Sequence, residues 1–572
     1  MAALTKEERS PFLPDDEVYL AAKERKDKKK GKSKEKGSEE ERKDSEQDKV
    51  AEVVIELRGI RNRIMEVPVP PGDYSRLSVN DKHLFWVEAE TSLDRKRTLK
   101  TLKIADKDIE VKTLIDDIGS YELSNDRKKL MVGKNNDIYI IDASDSAPPK
   151  LAKHQVNLKS WSFSLSPHEE WRQMFTDAWR LERDYFYDPN LHGVDYNELL
   201  QKYLPYVNRV TDRNELNDLI AHLVSELSAL HIFVGGGDRR RGEDNINQGS
   251  LGAVLAKDEE NGGYRIEHIY KSDPDYIDRL SPLAKPELKI RRNDIITAIN
   301  GTPLLDVADP AILLKNQVDR QVLLTLISHK NKKSYNEVVK PISLYAEYDL
   351  RYGEWEYERR LFVERKSQGE IGYVHLRAMG GGNFTEWVKN FYPVFNRKGL
   401  VIDVRHNSGG NIDSWILEKL LRRAWFYWKP RVGKPYWNMQ YAFRGHMVVL
   451  CNEHTASDGE AFAEGFRRLG LGKVIGTRTW GGEIWLSYNN RLVDRGIASA
   501  AQTGVYGPEG EWLIEGHGVE PDIVVDNLPH RTFNGKDAQL RSAVKYLKEK
   551  IQKEPVEVPK PPPYPDKSSE HE

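Results

Sequence analysis

Between residues 369 and 452 three short runs, "GEIGYVHL" (369–376), "GLVIDVR" (399–405) and "HMVVLCN" (446–452), are apolar almost without interruption. A strand with one face in water alternates apolar and polar residues. Runs like these need cover on both faces, the condition of a mostly parallel sheet between two helix layers. The intervening segments supply the helices, since Ile416, Leu417, Leu420 and Leu421 fall on one helical face. Residues 346–548 are therefore expected to form an α/β domain whose ligands bind at the carboxyl edge of the strands.

The whole chain has 572 residues, so several domains of about 100–200 residues each are expected. Residues 1–50 form a charged N-terminal segment, and its "KERKDKKKGKSKEKGSEEERKDSEQD" stretch holds no large apolar side chain, so it is expected to be disordered. Residues 51–165 read as short strands and turns. The phrases "LSVNDKHLFWVEAE" from Leu77 and "LSNDRKKLMVGKNNDIYIIDA" from Leu123 repeat at about 45 residues, a propeller-blade period. Two to three blades fit where closed propellers need about four to eight, so partial β-propeller blades are expected. Residues 166–245 form a small helical domain, with Ser166, Pro167 and Glu169 as a capping box and Thr211 as the cap of a later helix. That domain runs out at "LSALHIFVGGGD", where His231 precedes a glycine-rich break. Residues 246–345 are β-rich, with Asn300-Gly301 as a hairpin signal. There "LKIRRNDIITAINGTPL" resembles a PDZ domain, with Asn293-Asp294 where that family commonly has Gly-Asp. Residues 549–572 are proline-rich and polar, hence extended or disordered.

Several function classes carry no signal. The formal net charge of −2 gives no reason to expect a nucleic-acid partner. Cys451 is the only cysteine, so neither an intramolecular disulfide nor a cysteine-rich zinc site can form. No His/Asp/Glu cluster has metal-ligand spacing, and no cofactor motif is present. No apolar run reaches the length of about 18 residues that a membrane helix needs, and the first residues lack a signal-peptide core. The expected setting is the cytoplasm, away from membranes, or the periplasm if the amino terminus is truncated.

The candidate chemistry lies in two stretches. "CNEHTASDGEAF" (451–462) places Ser457 after a buried strand and before Ala461, Phe462, Gly465, Phe466 and Leu469 at helical spacing. The hydroxyl would meet free helix-end amides, which favour a developing oxyanion. The same position is equally that of an ordinary serine N-cap. "DVRHNSGGN" (403–411) puts Gly409-Gly410 directly after a strand, where backbone can approach a ligand or simply turn into a helix.

Taken together, the strand leading into "DVRHNSGGN", the strand leading into "TASD" and the closing "GHGVEPDIVVDNLP" (516–529) resemble the tricorn protease and C-terminal processing peptidase superfamily of serine peptidases. The order of blades, helical domain, PDZ-like domain and α/β domain resembles the tricorn branch. The resemblance implies a ClpP/crotonase-like catalytic fold with Ser457 as nucleophile and His231 as general base. It further implies that Glu515 completes the relay and that the amides of Gly410 and Asp458 form the oxyanion hole. Peptides or unfolded polypeptides are the implied substrates, and a homo-oligomer, a hexamer by family resemblance, the implied assembly. An inactive PDZ/propeller scaffold that binds peptides, or a non-peptide acyl hydrolase, are the alternatives.

Departures from the family pattern set further expectations. Leu230 stands where the tricorn branch has a serine between the histidine and the glutamate, so the link to Glu515 is direct, water-mediated or made by another residue. "WGGE" (480–483) occupies the region where the processing branch places a lysine, against a Ser–Lys dyad. "WFYWKP" (425–430) offers no carboxylate for a basic side chain. His454, three residues before Ser457, reads as a loop residue rather than the base.

Overall fold

A computed structural model describes the chain except residues 1, 7, 15, 22–52, 93–94, 239–241, 243–244, 487–489 and 569–572. The expected disorder of residues 23–48 lies outside the described residues. The chain divides into two compact units, 1–164 and 165–572.

In the first unit, β1 (Asp73–Val79), β2 (His83–Ala89), β3 (Arg97–Lys103) and β4 (Val111–Ile115) form an antiparallel sheet in sequence order. Strands β5 (Ser120–Leu123), β6 (Lys129–Lys134) and β7 (Asp137–Asp142) form a second. The repeated phrases are the matching hairpins β1–β2 and β5–β6, each turning after Leu-Ser. Phe85 and Leu99 from one sheet join Leu130, Val132 and Ile141 from the other in one core. These are two blade-like sheets, not a closed ring.

The second unit opens with α1 (Pro167–Tyr185), α2 (Tyr196–Tyr203) and α3 (Arg213–Ser225). Ser166 and Pro167 do start α1, but the Ser166 side chain makes no cap hydrogen bond, so the capping box is not formed. The cap of α3 is Asp212, not Thr211. The Asp212 carboxylate accepts from the amides of Asn214 (2.7 Å) and Glu215 (3.0 Å), while Thr211 pairs with the Glu215 side chain instead. A carboxylate at the helix start satisfies two free amides and the helix dipole at once, which a threonine hydroxyl cannot.

The PDZ-like sheet follows as β8 (Ala253–Asp258), β9 (Gly263–Ile269), β10 (Ile295–Ile299), β11 (Val322–Ile327) and β12 (Ser334–Val339), antiparallel in that order. The hairpin at Asn300-Gly301 folds Thr302–Pro303 back on β10. Asn293, in the place of the family's glycine, sits at φ 73°, a left-handed conformation that asparagine tolerates better than most residues.

The long helix α4 (Leu344–Ser367) leads into β13 (Ile371–His375), α5 (Gly381–Phe391), β14 (Gly399–Asp403) and α6 (Asp413–Leu421). Then come β15 (His446–Cys451), α7 (Asp458–Arg468), β16 (Gly472–Gly476), β17 (Ile523–Val524) and α8 (Ala538–Lys553). The five strands run parallel in sequence order. Alternation along each strand divides the apolar runs between two cores. Val374, Leu400, Ile402 and Val449 pack against Trp387, Ile416 and Phe462 of α5, α6 and α7. Tyr373, Val401, Val448 and Ile475 pack against Val363 of α4 and Leu540 and Leu547 of α8. Parallel strands align all their carboxyl ends on one edge, and the turns after β13, β14 and β15 meet there. Helix α8 ends at Lys553 with Ile551 against the core, so the irregular tail begins later than residue 549. Among the described residues no helix is long and apolar enough to cross a membrane.

Candidate active site

Ser457 is half-buried between β15 and α7, at φ 55° and ψ −130°. An ordinary N-cap is extended and its side chain accepts from a helix amide; here the side chain makes no cap hydrogen bond. A serine held in so sparsely populated a conformation requires surrounding structure to impose it. Glu460 does so from one side, its carboxylate accepting the Ser457 amide at 2.9 Å. From the other side Asn407, fully buried, accepts the Ala456 amide on its carbonyl at 2.9 Å.

The glycine pair meets this turn. A Cβ on Gly409 would lie 2.5 Å from Ser457 Cβ and 2.9 Å from its Oγ, so only glycine lets the loop approach the hydroxyl so closely. The Met379 amide donates to the Gly409 carbonyl (2.7 Å) and the Asn411 amide to the Met379 carbonyl (2.8 Å). Gly410, between them, keeps its own amide out of the hydrogen bonds among the described residues, and a Cβ there would strike the Met379 carbonyl at 2.0 Å. Asp458 is the first residue of α7, where an amide has no acceptor within the helix. Its carboxylate accepts the Ile412 (2.7 Å) and Asp413 (3.1 Å) amides, fastening the start of α6 to the start of α7. Burial, followed by the neighbouring Asp413, pushes the Asp458 carboxyl up to about 7.

His231 is held where Val234–Gly235 pairs with Ile497–Ala498, while the Phe233 amide donates to Ser499 Oγ at 2.9 Å. His231 is 8% exposed, with the rings of Phe233 and Trp480 edge-on to its imidazole at 5.3 and 6.0 Å. Nδ1 lies 2.6 Å from the Ile484 carbonyl, an acceptor only, so Nδ1 carries the proton and Nε2 keeps its lone pair. Burial pushes the His231 pKa down; the Ile484 hydrogen bond and the Glu515 charge partly oppose this.

Glu515 grips backbone rather than the ring. Oε1 accepts the Leu230 amide at 2.8 Å, and Oε2 accepts those of Glu483 (2.7 Å) and Ile484 (3.1 Å). It thus holds both the residue before His231 and the residue whose carbonyl orients it. Leu230 contributes its amide, and the residue is 43% exposed. Glu460 closes the frame: besides Ser457 it accepts Thr479 Oγ1 (2.5 Å), Gly481 N (2.7 Å) and Gly482 N (3.0 Å). One buried carboxylate therefore ties the serine turn to the loop that carries Trp480 and Ile484 toward His231. Glu483 is pushed up to about 9 by burial and then by the charges of Glu460 and Asp458, so it stands at neutral pH as a protonated acid.

Glu515→Gln gives a positioning test. The amide offers one oxygen to three donors and sets its NH₂ against one of them, a loss of about 1–3 kcal/mol and hence about five- to 150-fold in kcat. The Glu515 charge raises the His231 pKa, so removing it is expected to move the acid limb of kcat/KM to lower pH. A fall in kcat with an unmoved limb would mean that Glu515 acts only as a structural staple.

The other histidines have local partners. The His454 ring stacks on His406 at 5.3 Å, and its described hydrogen bond is from its amide to Asn452. Burial drives His406 down to about 4. His517 Nε2 accepts the Ile514 amide at 3.2 Å, within the turn that carries Glu515. Asp522 accepts the Val474 amide at 2.8 Å and serves strand pairing. Sequence reasoning passed over Glu460, although its spacing three residues after Ser457 is that of a capping box. It also passed over the Ile484 carbonyl, which has no side-chain signal.

Three family profiles match the chain: Tricorn protease C1 domain over residues 167–225, Tricorn protease PDZ domain over 249–343 and Peptidase family S41 over 370–525. Tricorn protease homolog 1 of Streptomyces coelicolor is 30% identical over 520 residues, covering 88% of this chain and 48% of the relative. The Tricorn protease homolog of Saccharolobus solfataricus is 31% identical over 501 residues, covering 86% and 46%. A solved structure, "Crystal structure of the tricorn protease", superposes with a TM-score of 0.79 at 25% identity, covering 89% of this chain and 50% of that one. The chain spans about half the length of these relatives.

Proposed function

The chain belongs to the tricorn protease family, and from that premise we propose that it is a serine peptidase that hydrolyses peptide bonds through an acyl-enzyme at Ser457. His231 Nε2 accepts the Ser457 proton as Oγ attacks the substrate carbonyl. The carbonyl oxygen, now negative, takes the amides of Gly410 and Asp458 as donors. His231 then returns the proton to the leaving amine, and water repeats the sequence to release the acid and free Ser457. Glu515 acts through the Leu230 amide and the Ile484 carbonyl to keep Nδ1 protonated and Nε2 free.

The observation that carries this reading is the fixed tautomer of His231, its proton committed to the Ile484 carbonyl at 2.6 Å, in a frame that Glu460 shares with the Ser457 amide. A scaffold that only captures peptides has no use for that arrangement. Substrates are peptides or unfolded polypeptides. A homo-oligomer is proposed from the exposed aromatic face that includes Trp425 (75% exposed) and Tyr436 (53%), since contiguous apolar surface marks protein contacts.

A fluorophosphonate probe followed by peptide mapping tests the proposal, with casein and a small ester assayed in parallel. Labelling at Ser457 with casein turnover is expected. Ester turnover without casein turnover would move the assignment to another acyl hydrolase, and an unlabelled, inactive protein would reduce it to a scaffold.

A further inference from the structure

Phe384 and Trp415 stand at matching places on either side of the Met379–Gly410 bridge, each five residues beyond its half of it. Phe384 lies in the first turn of α5 and packs against the core below. Trp415 lies in the first turn of α6, ring centroid 5.5 Å from that of Phe384 at 84°, and remains 54% exposed. The Asp458 carboxylate holds the start of α6 against the start of α7 through the Ile412 and Asp413 amides, so the turn that carries Trp415 is fastened to the helix that follows Ser457. Of the carboxylates on these two helices, Asp413 accepts from Ser414 Oγ at 3.1 Å and Glu386 from Arg279 at 2.9 Å.

We propose that Phe384 and Trp415 form the wall that selects the substrate residue bearing the scissile carbonyl, and that this residue is large and apolar. The inference rests on the peptidase reading above. In that reading His231 protonates the leaving amine, so the leaving half of the substrate lies on the His231 side. The acyl half extends from the scissile carbon away from His231, and the wall begins five residues beyond each half of the Met379–Gly410 bridge. An indole braced edge-to-face offers rigid apolar area, which favours Phe, Leu or Met over Ala and over Lys, Arg, Asp or Glu, whose charges lose water on packing against it.

Fluorogenic peptides differing only at that residue test this with the full chain. Phe and Leu substrates are expected to exceed Ala and Lys by at least about tenfold in kcat/KM. Trp415→Ala is expected to lower the Phe and Leu substrates by about tenfold and the Ala substrate by no more than about twofold. Phe384→Leu, which removes only the brace, gives a smaller loss in the same order, and Trp415→Glu shifts the preference toward Lys. A wild-type preference for charged residues overturns the inference, as does an equal loss on all substrates with Trp415→Ala. The fluorophosphonate, which carries no such side chain, separates the two levels. Labelled Ser457 without apolar preference sinks this inference alone; unlabelled wild type sinks the peptidase reading and this with it.

Discussion

Ser457→Ala and His231→Ala are each expected to lower kcat/KM for peptide hydrolysis by about ten-thousandfold or more, and the double variant by little beyond either alone. The serine is worth nothing as a nucleophile without a base, and the base has nothing to deprotonate without the serine, so the two losses overlap. What survives in either variant is substrate binding and the Gly410 and Asp458 amides. The pH profile separates His231 from its neighbours. Burial places its pKa below the ordinary 6.5, and only the neutral ring accepts a proton, so activity is expected to rise with pH along a limb centred below 6.5. That limb should vanish from the residual activity of His231→Ala. His454→Ala, with its ring stacked on His406, is expected to keep both rate and limb. Single-turnover acylation with a fluorogenic peptide, with thermal unfolding as a folding control, makes the measurement. Retention of the limb in His231→Ala, or its loss in His454→Ala, would show the base to be elsewhere.

The sheet was legible because Val, Ile and Leu runs that need cover on both faces leave few alternatives to a parallel layer. The Asn300-Gly301 hairpin showed in its turn residues, the PDZ-like module only through the resemblance of the phrase around it, and the blade-like sheets in the spacing of two Leu-Ser phrases. Local competition between capping groups was not legible: Asp212 took the start of α3 from Thr211 because its carboxylate reaches two amides. The site divides in the same way. Gly410 and the adjacent Ser457 and Asp458 lie on two strand-to-helix motifs, each with a residue signature. His231 and Glu515 are 284 positions apart in the chain, and only resemblance paired them. What joins them is backbone, the Leu230 amide and the Ile484 carbonyl. Any residue supplies an amide or a carbonyl, so composition leaves no trace of that link.

Arg405→Ala is expected to cost about 3–5 kcal/mol of stability, a large part of the roughly 5–15 kcal/mol a domain usually holds. The Arg405 side chain is 2% exposed. It donates to Asp403 through Nε (2.9 Å) and Nη2 (2.6 Å), and through Nη1 to both Asp537 oxygens at 3.0 Å. Asp403 ends β14 and Asp537 caps α8, so one guanidinium joins the strand before the Gly409 turn to the helix behind the sheet. Removing it leaves two carboxylates in the interior; Asp537 keeps Arg359 at 3.1 Å, whereas Asp403 keeps only neutral donors such as the Tyr373 hydroxyl at 2.9 Å. The pH dependence identifies the cause. In the wild type, burial would raise the Asp403 pKa, but the Arg405 charge overrides it and holds the group at about 2, below its ordinary 3.8. Its contribution is therefore complete above 3.8 and lost only as pH falls toward 2. Without Arg405 the burial effect prevails, the folded-state pKa rises above 3.8, and the variant loses stability as pH climbs past that value. The gap in Tm between wild type and Arg405→Ala should accordingly narrow from pH 7 to pH 4. Asp403→Asn combined with Arg405→Met, which removes the stranded charge, should recover part of the loss at pH 7. A gap that stays constant with pH and ignores the second substitution would assign the loss to packing instead, and would leave the Asp403–Arg405 pair without the electrostatic role given to it.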